Sequence, residues 1–547
     1  MTAPDAAAFA HPRFARAPRA GCDGARAPVA IVGAGPVGLT LAIDLAQRGT
    51  PVVVLDDDDT VSVGSRAICW SKRTLEVFDR IGVGEAVAAR GVRWNTGRVF
   101  LGEREVFAFD LAPEPGHHRP AFVNLQQYHV EAMLVERARA LPACCLRFGH
   151  RVADVAARAD GVRVAVDTAE GAYSFDADWL VACDGAHSSV RRALGLAAKG
   201  QAFNDRFLIA DVRMRSAFPA ERWFWFDPPF HRRQSALLHR QADDVWRLDF
   251  QLGADADAEA ERQPARVAAR VRAMLGPEAD FTLEWASVYT FQCRRIERFR
   301  HGRVLFAGDA AHLVSPFGAR GANGGVQDAD NLGWKLAAVL EGSAPEALVD
   351  SYHAERSAAA DADIRHSTRS TDFITPKSDA SRRYRDAVLD LARRHPFARQ
   401  WVNSGRLSSP AVHRDSPLNT ADAPGDFDAA ARAAEPGAVA PDAPLEGGDA
   451  AWLIDRLGGR FALLAYATTI DAAVRATLAG ARCDVVDVGA TPEGARAGDR
   501  DGHVARRYDM RPGTCYLVRP DQHICARWRA LDAAAVRAAL LRACARG

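Results

Sequence analysis

A glycine-rich turn near the start of the chain constrains the fold more than any other feature. An apolar stretch at residues 29–32 runs into Gly33, Gly35 and Gly38, and an apolar helical pattern follows. Such a loop lets the backbone approach a dinucleotide pyrophosphate, with the N-terminus of the helix facing the negative charge. The turn therefore predicts an α/β, Rossmann-like domain that binds a dinucleotide.

A second turn of the same kind lies far downstream. The apolar residues 304–307 end in Gly308 and Asp309, which predicts a flavoprotein whose FAD is held by distant parts of the chain. Asp56 ends the strand after the first glycine loop, close to the ~20-residue offset at which an acid accepts ribose hydroxyls. Residues 57–59, also aspartates, are interpreted as a solvated turn.

Size and composition exclude several classes of protein. A chain of 547 residues is expected to form more than one domain, and a net charge of +1 gives no reason to expect a nucleic-acid or membrane partner. No apolar run approaches the roughly 18 residues of a spanning helix. The ten cysteines show neither a C-x-x-C pair nor zinc spacing, so we expect a reduced, cytoplasmic protein without a metal site.

Shifts in composition and periodicity divide the chain. Alternating apolar and polar residues over 203–290 predict an inserted antiparallel sheet, and the Pro-, Ala- and Asp-rich stretch before the tail predicts a linker. Two further predictions are a helix over 121–141 and a hairpin around residues 241–244. The expected segments are a disordered extension (1–27), an FAD-binding domain with a helical extension (28–202 and 291–405), a β-sheet substrate domain (203–290), a linker (406–447) and a thioredoxin-like domain without redox cysteines (448–547).

Three motifs, in this order, resemble those of the single-component FAD-dependent aromatic hydroxylases of the p-hydroxybenzoate hydroxylase fold. They are the glycine loop 33–38, the Asp-Gly motif at 184–191, and Gly308-Asp309 with the loop that follows through Asn323. The tail resembles the redox-inactive thioredoxin-like domain of the phenol hydroxylase and 3-(3-hydroxyphenyl)propionate hydroxylase branch. Its strand and helix order, β-α-β then β-β-α, agrees with that domain.

The resemblance implies a set of cofactor contacts. The three glycines would lie under the FAD pyrophosphate, Asp309 would accept from the ribityl chain, and backbone N–H groups of loop 318–323 would face the isoalloxazine carbonyl. Arg320 stands where many relatives carry Gln; it could hold reduced, anionic flavin or face solvent. The implied FAD-binding residues are Gly33, Gly35, Gly38, Asp56, Arg66, Gln127, Asp184, Gly308, Asp309, Pro316, Gly321, Ala322 and Asn323.

The resemblance also implies the reaction. NADH or NADPH would reduce FAD, dioxygen would add to give a flavin hydroperoxide, and one oxygen would pass to a phenolic or similar aromatic substrate; a homodimer is expected. Ionisation of a phenol calls for a base, but no catalytic base can be assigned from the sequence. Side chains that could contact substrate, or equally belong to the core or surface, are Trp223, Trp225, His231, His239 and Tyr289.

Three alternatives stay open at this point. The flavoprotein could oxidise a non-phenolic substrate, or it could be a non-catalytic flavin-binding scaffold, although the complete set of cofactor motifs argues against a scaffold. Trp223, Trp225 and Pro228 look superficially like a halogenase motif, but Asp227 replaces its isoleucine and none of the four lysines has a matching context.

Overall fold

The computed structural model describes residues 10–111, 114–403, 407–427, 429–447, 450–489 and 497–546. Residues 10–25 pack against the first domain: Phe14 is buried, stacks on Phe148 and donates its N–H to the carbonyl of Asp59. This part of the predicted disordered extension is therefore ordered, because Phe14 and its backbone find partners. Residues 1–9 of that prediction lie outside the described residues.

A mostly parallel sheet forms the first domain, with strand order β17-β18-β11-β1-β2-β8. Strand β17 is antiparallel to β18, and β10 and β9 join as an antiparallel extension beside β11. The β1 strand lies in the middle and is apolar from residue 27 to 32, as expected for a strand covered on both faces. The elements are β1 (Arg26–Val32), α1 (Pro36–Gln47), β2 (Val52–Asp56), β3 (Cys69–Ser71), α2 (Lys72–Arg80), α3 (Gly84–Arg90), β4 (Val92–Trp94), β5 (Thr96–Leu101), β6 (Arg104–Asp110), β7 (Phe122–Asn124), α4 (Gln127–Arg139), β8 (Cys144–Phe148), β9 (Arg151–Ala157), β10 (Val162–Thr168), β11 (Gly171–Ala182) and α5 (Ser189–Ala193).

The predicted helix over 121–141 is shorter in the structure. Residues 122–124 instead form strand β7, which pairs with β3 and β4, and the helix begins at Gln127. Strand pairing takes precedence here over the local helical pattern.

A second large sheet has the order β19-β16-β12-β15-β14-β13-β5-β6. Its elements from the middle of the chain are β12 (Ala198–Arg213), β13 (Arg222–Phe226), β14 (Ser235–Arg240), β15 (Val245–Leu252), α6 (Ala258–Glu261), α7 (Pro264–Leu275) and β16 (Thr282–Ile296). The predicted hairpin is confirmed, since β14 pairs with β15 and the turn residues Asp243 and Asp244 have φ of +60° and +56°. The sheet differs from the predicted 203–290 segment because it also recruits β5 and β6, and because β13 pairs with β5 in parallel.

The chain then returns to the first domain. It forms β17 (Arg300–His301), β18 (Val304–Phe306), a 3₁₀ turn (Gly308–Ala310), β19 (His312–Leu313), α8 (Gly321–Leu340), α9 (Ala347–Ile374), α10 (Asp379–Arg394) and a second 3₁₀ helix (Pro396–Trp401). Strand β18 pairs in parallel with β11, and α8 packs against α1. This return brings the Gly308 turn beside the first glycine loop.

A four-stranded sheet of order β22-β21-β24-β25 forms the tail. The remaining elements are β20 (Leu445–Glu446), β21 (Ala462–Tyr466), α11 (Ala472–Gly480), β22 (Asp484–Val488), β23 (Gly498–Asp499), α12 (His503–Arg507), β24 (Cys515–Val518), β25 (Ile524–Trp528) and α13 (Ala533–Ala543), with 3₁₀ helices at Ala429–Ala434, Leu453–Arg456 and Arg500–Gly502. Strand β21 is parallel to β22 and antiparallel to β24. The thioredoxin-like assignment and the segment bounds stay predictions.

The stretch predicted as a linker is packed where the structure describes it. Leu418 is buried in the core of the tail, and the N–H groups of Thr420, Gly437 and Ala440 donate to carbonyls of residues 522–525. Its small residues therefore lie along the β24–β25 hairpin. Among the described residues, none of the helices combines the length and the apolar character that crossing a membrane requires.

Candidate functional site

The three glycines of the first loop have different roles. Gly33 has φ of +105°, and a Cβ there would lie 2.5 Å from the carbonyl oxygen of Cys183; a Cβ on Gly38 would lie 2.0 Å from the Gly33 oxygen. These two glycines let the loop pack closely on β11 and on itself. Gly35 caps α1, and a Cβ there would meet nothing within 4 Å. Open space therefore lies above Gly35, at the N-terminus of the helix.

Two distant segments converge on Val37, near the end of this loop. Its side chain lies 3.0 Å from the position of a Cβ on Gly308 and 2.5 Å from that of a Cβ on Gly325. The absence of side chains at Gly308 and Gly325 thus lets the downstream turn and α8 approach α1. The structure brings together the two glycine turns that the sequence placed far apart.

Asp56 closes the mouth of the glycine loop. It ends β2, and its Oδ2 accepts from the N–H of Ala34 at 2.5 Å while its Oδ1 accepts from that of Asp58 at 2.9 Å. Burial raises the pKa of Asp56 to about 6 despite these two hydrogen bonds. The carboxylate thus lies at the glycine loop, and its contact with the ribose stays a prediction.

Asp184 follows β11 at the same edge of the sheet. Its Oδ2 accepts from Ser189 Oγ at 3.1 Å and from the N–H of Val190 at 3.2 Å. Its Oδ1 is buried and has no hydrogen-bond partner among the described residues. Arg191 donates to the carbonyl of Ala310 at 3.0 Å and so ties this turn to the Gly308 turn.

Asp309 projects into the same space. It is solvent-exposed although its neighbours Gly308 and Ala310 are buried, and its Oδ1 lies 3.9 Å from the position of a Cβ on Gly321. Burial of the surrounding region raises the pKa of Asp309, while the charges of His312 and Arg66 oppose the rise. An accessible carboxylate deep between two elements is suited to accept hydrogen bonds from a ligand.

Asp328 on α8 supports this turn, and sequence reasoning missed it. Its Oδ2 accepts from the N–H of Gly308 at 2.9 Å and lies 2.7 Å from His312 Nε2, while its Oδ1 accepts from Arg356 Nε at 2.6 Å. Burial alone would raise the pKa of Asp328, but the charges of His312 and Arg356 outweigh burial and lower that pKa to about 2. No local pattern in the sequence separates this buried acid from the exposed acids of other helices.

The loop before α8 presents a helix N-terminus to the site. Pro316 is exposed, Gly318 and Ala319 have φ of +104° and +52°, and α8 then begins at Gly321 without a side-chain cap. The first N–H groups of a helix, here those of Gly321 and Ala322, have no partner within the helix and carry partial positive charge.

The Asn323 side chain stabilises this loop. Its Oδ1 accepts from the N–H of Ser71 at 2.9 Å and from Thr74 Oγ1 at 2.6 Å, and its Nδ2 donates to the carbonyl of Cys69 at 2.8 Å. Because these contacts occupy the amide, only its backbone is available for the predicted cofactor contact.

One of the two roles considered for Arg320, that it faces solvent, is not found in the structure. The side chain is buried, so it does not face solvent, and Nη1 donates to Asp363 Oδ1 at 2.5 Å on α9. This ion pair attaches the loop before α8 to α9, and a contact of Arg320 with flavin stays a prediction.

Arg66 and Gln127 lie on the opposite side of the space. Gln127 Oε1 accepts from the N–H of Ala67 at 3.0 Å and so fixes the loop that carries Arg66. The exposed Arg66 interacts electrostatically with both Asp309 and Tyr289. It therefore links the Gly308 turn to the second sheet.

The two faces of the second sheet separate the candidate substrate residues. His239 and Tyr289 share one face with Arg222, Arg247 and Asp249, as the strand register requires. This inner face also carries Phe207, which contacts Phe317 from the loop before α8, and Phe224 and Phe226, which pack towards α9 and α10.

The opposite face of the sheet packs on α7. Trp223 and Trp225 lie there with Phe218 and Phe230, and His231 contacts Phe250. These three candidates point away from the Gly308 turn, so they cannot contact a substrate bound there.

Aromatic rings surround Tyr289 on the inner face. The Tyr289 ring centroid lies 5.0 Å from that of Phe291, and Phe317, directly after Pro316, lies 5.1 Å from Phe207 and 5.2 Å from Phe291. The space between the two sheets is thus bordered by carboxylates and a helix N-terminus on one side and by aromatic rings on the other.

The fold, with its two large sheets, and the site between them are those of a flavoprotein, and comparison with known proteins agrees. Residues 26–367 match the family model described as "FAD binding domain", and the chain belongs to this family. It is similar to a flavin-dependent monooxygenase of Mycobacteroides abscessus, with 35% identity over 349 residues, or 60% of this chain and 70% of the relative.

Two further comparisons extend over most of the chain. A 3-(3-hydroxy-phenyl)propionate/3-hydroxycinnamic acid hydroxylase of Mycolicibacterium gilvum is 30% identical over 518 residues, or 91% of this chain and 88% of the relative. The crystal structure of the flavin-dependent monooxygenase PieE in complex with FAD and substrate has a TM-score of 0.81 and 25% identity, with 95% and 99% of the chains covered. The protein is an FAD-dependent monooxygenase.

The described residues fit FAD. Open space above Gly35, the unpartnered Oδ1 of Asp184 and the exposed Asp309 lie at one edge of the parallel sheet, where dinucleotides bind in open α/β folds. Individual cofactor contacts of the predicted residues stay predictions.

Proposed function

We propose that this protein uses NADH or NADPH and dioxygen to hydroxylate a phenolic or similar aromatic compound. The observation that carries the proposal is the composition of the inner sheet face: aromatic rings and a few buried polar groups lie opposite the Asp309 turn and the start of α8. Pockets of this kind hold an aromatic ring by apolar contact and orient it with a small number of polar groups.

Each side of the site has a separate task in this proposal. Gly33, Gly35 and Gly38 would leave room for the FAD pyrophosphate, and Asp56 and Asp309 would accept hydrogen bonds from its hydroxyls. Bound FAD would supply the redox chemistry, accepting a hydride from the nicotinamide and activating dioxygen. The N-terminus of α8 and the nearby Arg66 would favour negative charge on the ring system.

The aromatic side chains exclude water from the reacting atoms. Phe207, Phe291 and Phe317 form a continuous group beside Tyr289. Exclusion of water favours oxygen transfer over release of hydrogen peroxide, so loss of these rings is expected to uncouple nicotinamide oxidation from product formation.

The relatives support a phenolic substrate, since the M. gilvum protein is named a hydroxylase of hydroxyphenyl-propionate and hydroxycinnamic acid. Halogenation receives no support from Trp223 and Trp225, which lie on the outer face of the sheet. A homodimer and a cytoplasmic location stay predictions; size-exclusion chromatography with light scattering tests the first.

A substrate panel tests the proposed reaction. The FAD-loaded protein is incubated with NADH or NADPH and a series of phenols and hydroxylated aromatic acids, while nicotinamide oxidation, hydrogen peroxide and hydroxylated product are measured. At least one phenol should stimulate nicotinamide oxidation and yield a product with one added oxygen. Indifference to every phenol would overturn the proposal in favour of a non-phenolic substrate, and a chloride-dependent product would indicate halogenation.

A further inference from the structure

Asp249 is an acid on the inner face of the second sheet. Its position there is not explained by a hydrogen bond to the described residues. In the strand register it lies between Leu237 of β14 and Ile209 of β12. Its side chain is only half-buried, yet its Oδ1 is buried and has no hydrogen-bond partner among the described residues. A carboxylate flanked by apolar neighbours and left without donors is costly unless a ligand completes it.

The neighbouring acid on this face is fully engaged. Asp211 accepts two hydrogen bonds from Arg247, at 2.8 and 2.7 Å, and one from Gln241 at 3.0 Å. Arg247 also donates to the carbonyl of Ser65, in the loop that carries Arg66. Asp211 and Arg247 therefore attach the loop that carries Arg66 to the sheet. Asp249 takes no part in this attachment and faces the space between the loop and the sheet.

Two sets of electrostatic interactions relate Asp249 to the loop that carries Arg66 and to the start of α8. It interacts electrostatically with Tyr289, which interacts with Arg66, which in turn interacts with Asp309. It also interacts with Cys69, whose carbonyl accepts from Asn323 at the start of α8. Asp249 also shares its sheet face with Phe207, which contacts Phe317 in the loop before α8, so this face is turned towards the Asp309 side of the space.

We propose that Asp249 accepts the proton of the substrate hydroxyl; this assignment rests on the proposed hydroxylation of a phenolic compound. The O–H bond of the substrate breaks, the proton forms a bond to a carboxylate oxygen of Asp249, and the electron pair remains on the phenolate oxygen. No electrons pass between molecules in this step. The phenolate is the electron-rich form of the ring that accepts oxygen.

The charges around Asp249 suit a base that works near neutral pH. The charged or titratable groups that face it from the surrounding elements are Arg247 on its own strand, Asp211, Arg222, His239, Tyr289 and Cys69. Burial lowers the pKa of His239 and raises those of Tyr289 and Cys69, so these three groups are neutral near pH 7.

The remaining charged neighbours are Arg247, Arg222 and Asp211. Burial raises the pKa of Asp249 to about 7, and the two arginines oppose a larger rise. A base with a pKa close to the working pH combines a useful ionised fraction with the strength to take a proton.

The test compares Asp249→Asn with Asp244→Asn, using FAD-loaded protein and two substrates. Asp244 lies in the turn of the same hairpin, is exposed, and has φ of +56°, which Asn tolerates. One substrate is a weakly acidic phenol that the wild type hydroxylates; the other is a nitro- or polyfluorinated analogue that is already ionised at the assay pH.

Asp249→Asn should lower kcat for the weakly acidic phenol by about 100-fold or more, with little change for the ionised analogue and wild-type FAD content. The acid limb of the wild-type kcat/KM profile, which falls below about pH 7 as Asp249 is protonated, should disappear in the variant. Asp244→Asn should match the wild type. An equal loss for both substrates, or an unchanged rate and pH profile, would overturn the assignment.

If Asp249→Asn does not fold, the pH profiles of Asp249→Glu and of the wild type test the proposal. The Glu variant retains a carboxylate and should keep an acid limb at a reduced rate; an acid limb lost with the carboxylate retained would contradict the role. A wild-type kcat/KM for the weakly acidic phenol that is flat from about pH 5 to 9 would also overturn it. Failure of the proposed function looks different, because the wild type would then hydroxylate no phenol.

Discussion

Arg519 of the tail and Glu355 of α9 form a bidentate ion pair in which both side chains are fully buried, with N–O distances of 2.6 and 3.0 Å. Lys335 of α8 donates to the same carboxylate at 2.7 Å, and Asp521 accepts from Arg519 Nε at 3.0 Å. The tip of the β24–β25 hairpin is therefore attached to the two helices that carry Asp328 and Arg356. Through this contact the tail braces α8 and α9.

Removal of the Glu355 charge should destabilise the whole protein. In Glu355→Gln, two buried cations lose their shared partner, and breaking a buried pair in this way costs about 3–5 kcal/mol. Urea unfolding followed by tryptophan fluorescence measures the loss. Asp350→Asn on the same helix is the control, because its exposed pair with Arg300 contributes little. Equal stability of the two variants would contradict a bracing role for the tail.

Two variants of the glycine loop should affect different properties, one the affinity for FAD and the other the stability of the fold. Gly35→Ala should fold with unchanged stability, because its φ of −76° suits alanine and its Cβ meets nothing, but FAD affinity should fall at least about tenfold. Gly38→Ala should lose about 2 kcal/mol or more of stability, because its Cβ would collide with the Gly33 carbonyl. Flavin fluorescence titration and thermal unfolding of the apoprotein separate the two effects. Unaltered FAD binding by Gly35→Ala would place the pyrophosphate elsewhere.

Asp309→Ala should give a folded but largely colourless protein. The carboxylate is exposed, so its removal should affect the cofactor more than the fold. Absorbance of the purified protein gives the flavin content, and circular dichroism reports the fold. Asp309→Asn serves as the companion variant, since an amide keeps an acceptor and should retain part of the flavin. Full flavin content in Asp309→Ala would exclude the predicted contact.

The parts of the site that could be predicted from the sequence are those fixed by short-range geometry. Gly33 and Gly38 are required wherever a strand, a tight turn and a helix pack this closely, and the turn at Asp243 and Asp244 follows from local conformation. The period-2 pattern of β15 is visible in the sequence, but which face meets the site depends on α7 covering the other face. Asp249 therefore could not be distinguished from any other acid on a strand.

The main features of the site that the sequence does not predict are the charged residues that become buried. Asp328, Arg356 and Glu355 lie in helices that read as ordinary amphipathic sequence, and only the packing of α8 and α9 shows that their charges compensate one another. Likewise, strand β5 joins the second sheet by pairing with β13, a contact between residues more than a hundred positions apart, and β6 joins through β5. Long-range pairing of this kind leaves no signal in a single sequence.

Asp328→Asn should weaken FAD binding and should also reduce the free energy of unfolding. The loss of stability relative to the wild type should become smaller in acid. The folded-state pKa of Asp328 is lowered to about 2, below the ordinary carboxyl value of about 4, so its charge stabilises the fold above pH 4. This stability, about 2–3 kcal/mol by linkage, is lost in the wild type as the pH falls from about 4 to about 2. The variant lacks it at every pH, so its stability should change less over that window.

Asp330→Asn is the matched control for this prediction. Asp330 lies two residues further along α8, is equally buried, and pairs with Arg73 and Arg80 instead of with the Gly308 turn. Both variants should lose stability, but only Asp328→Asn should weaken FAD binding, by about tenfold or more, since it alone releases the Gly308 N–H and His312. Flavin titration at pH 7 and urea unfolding across the acid range give the two readouts. Equal FAD affinity in the two variants would mean that the Gly308–Asp309 turn keeps its shape without Asp328, because β18 and the close contact of Gly308 with Val37 would then suffice to hold it.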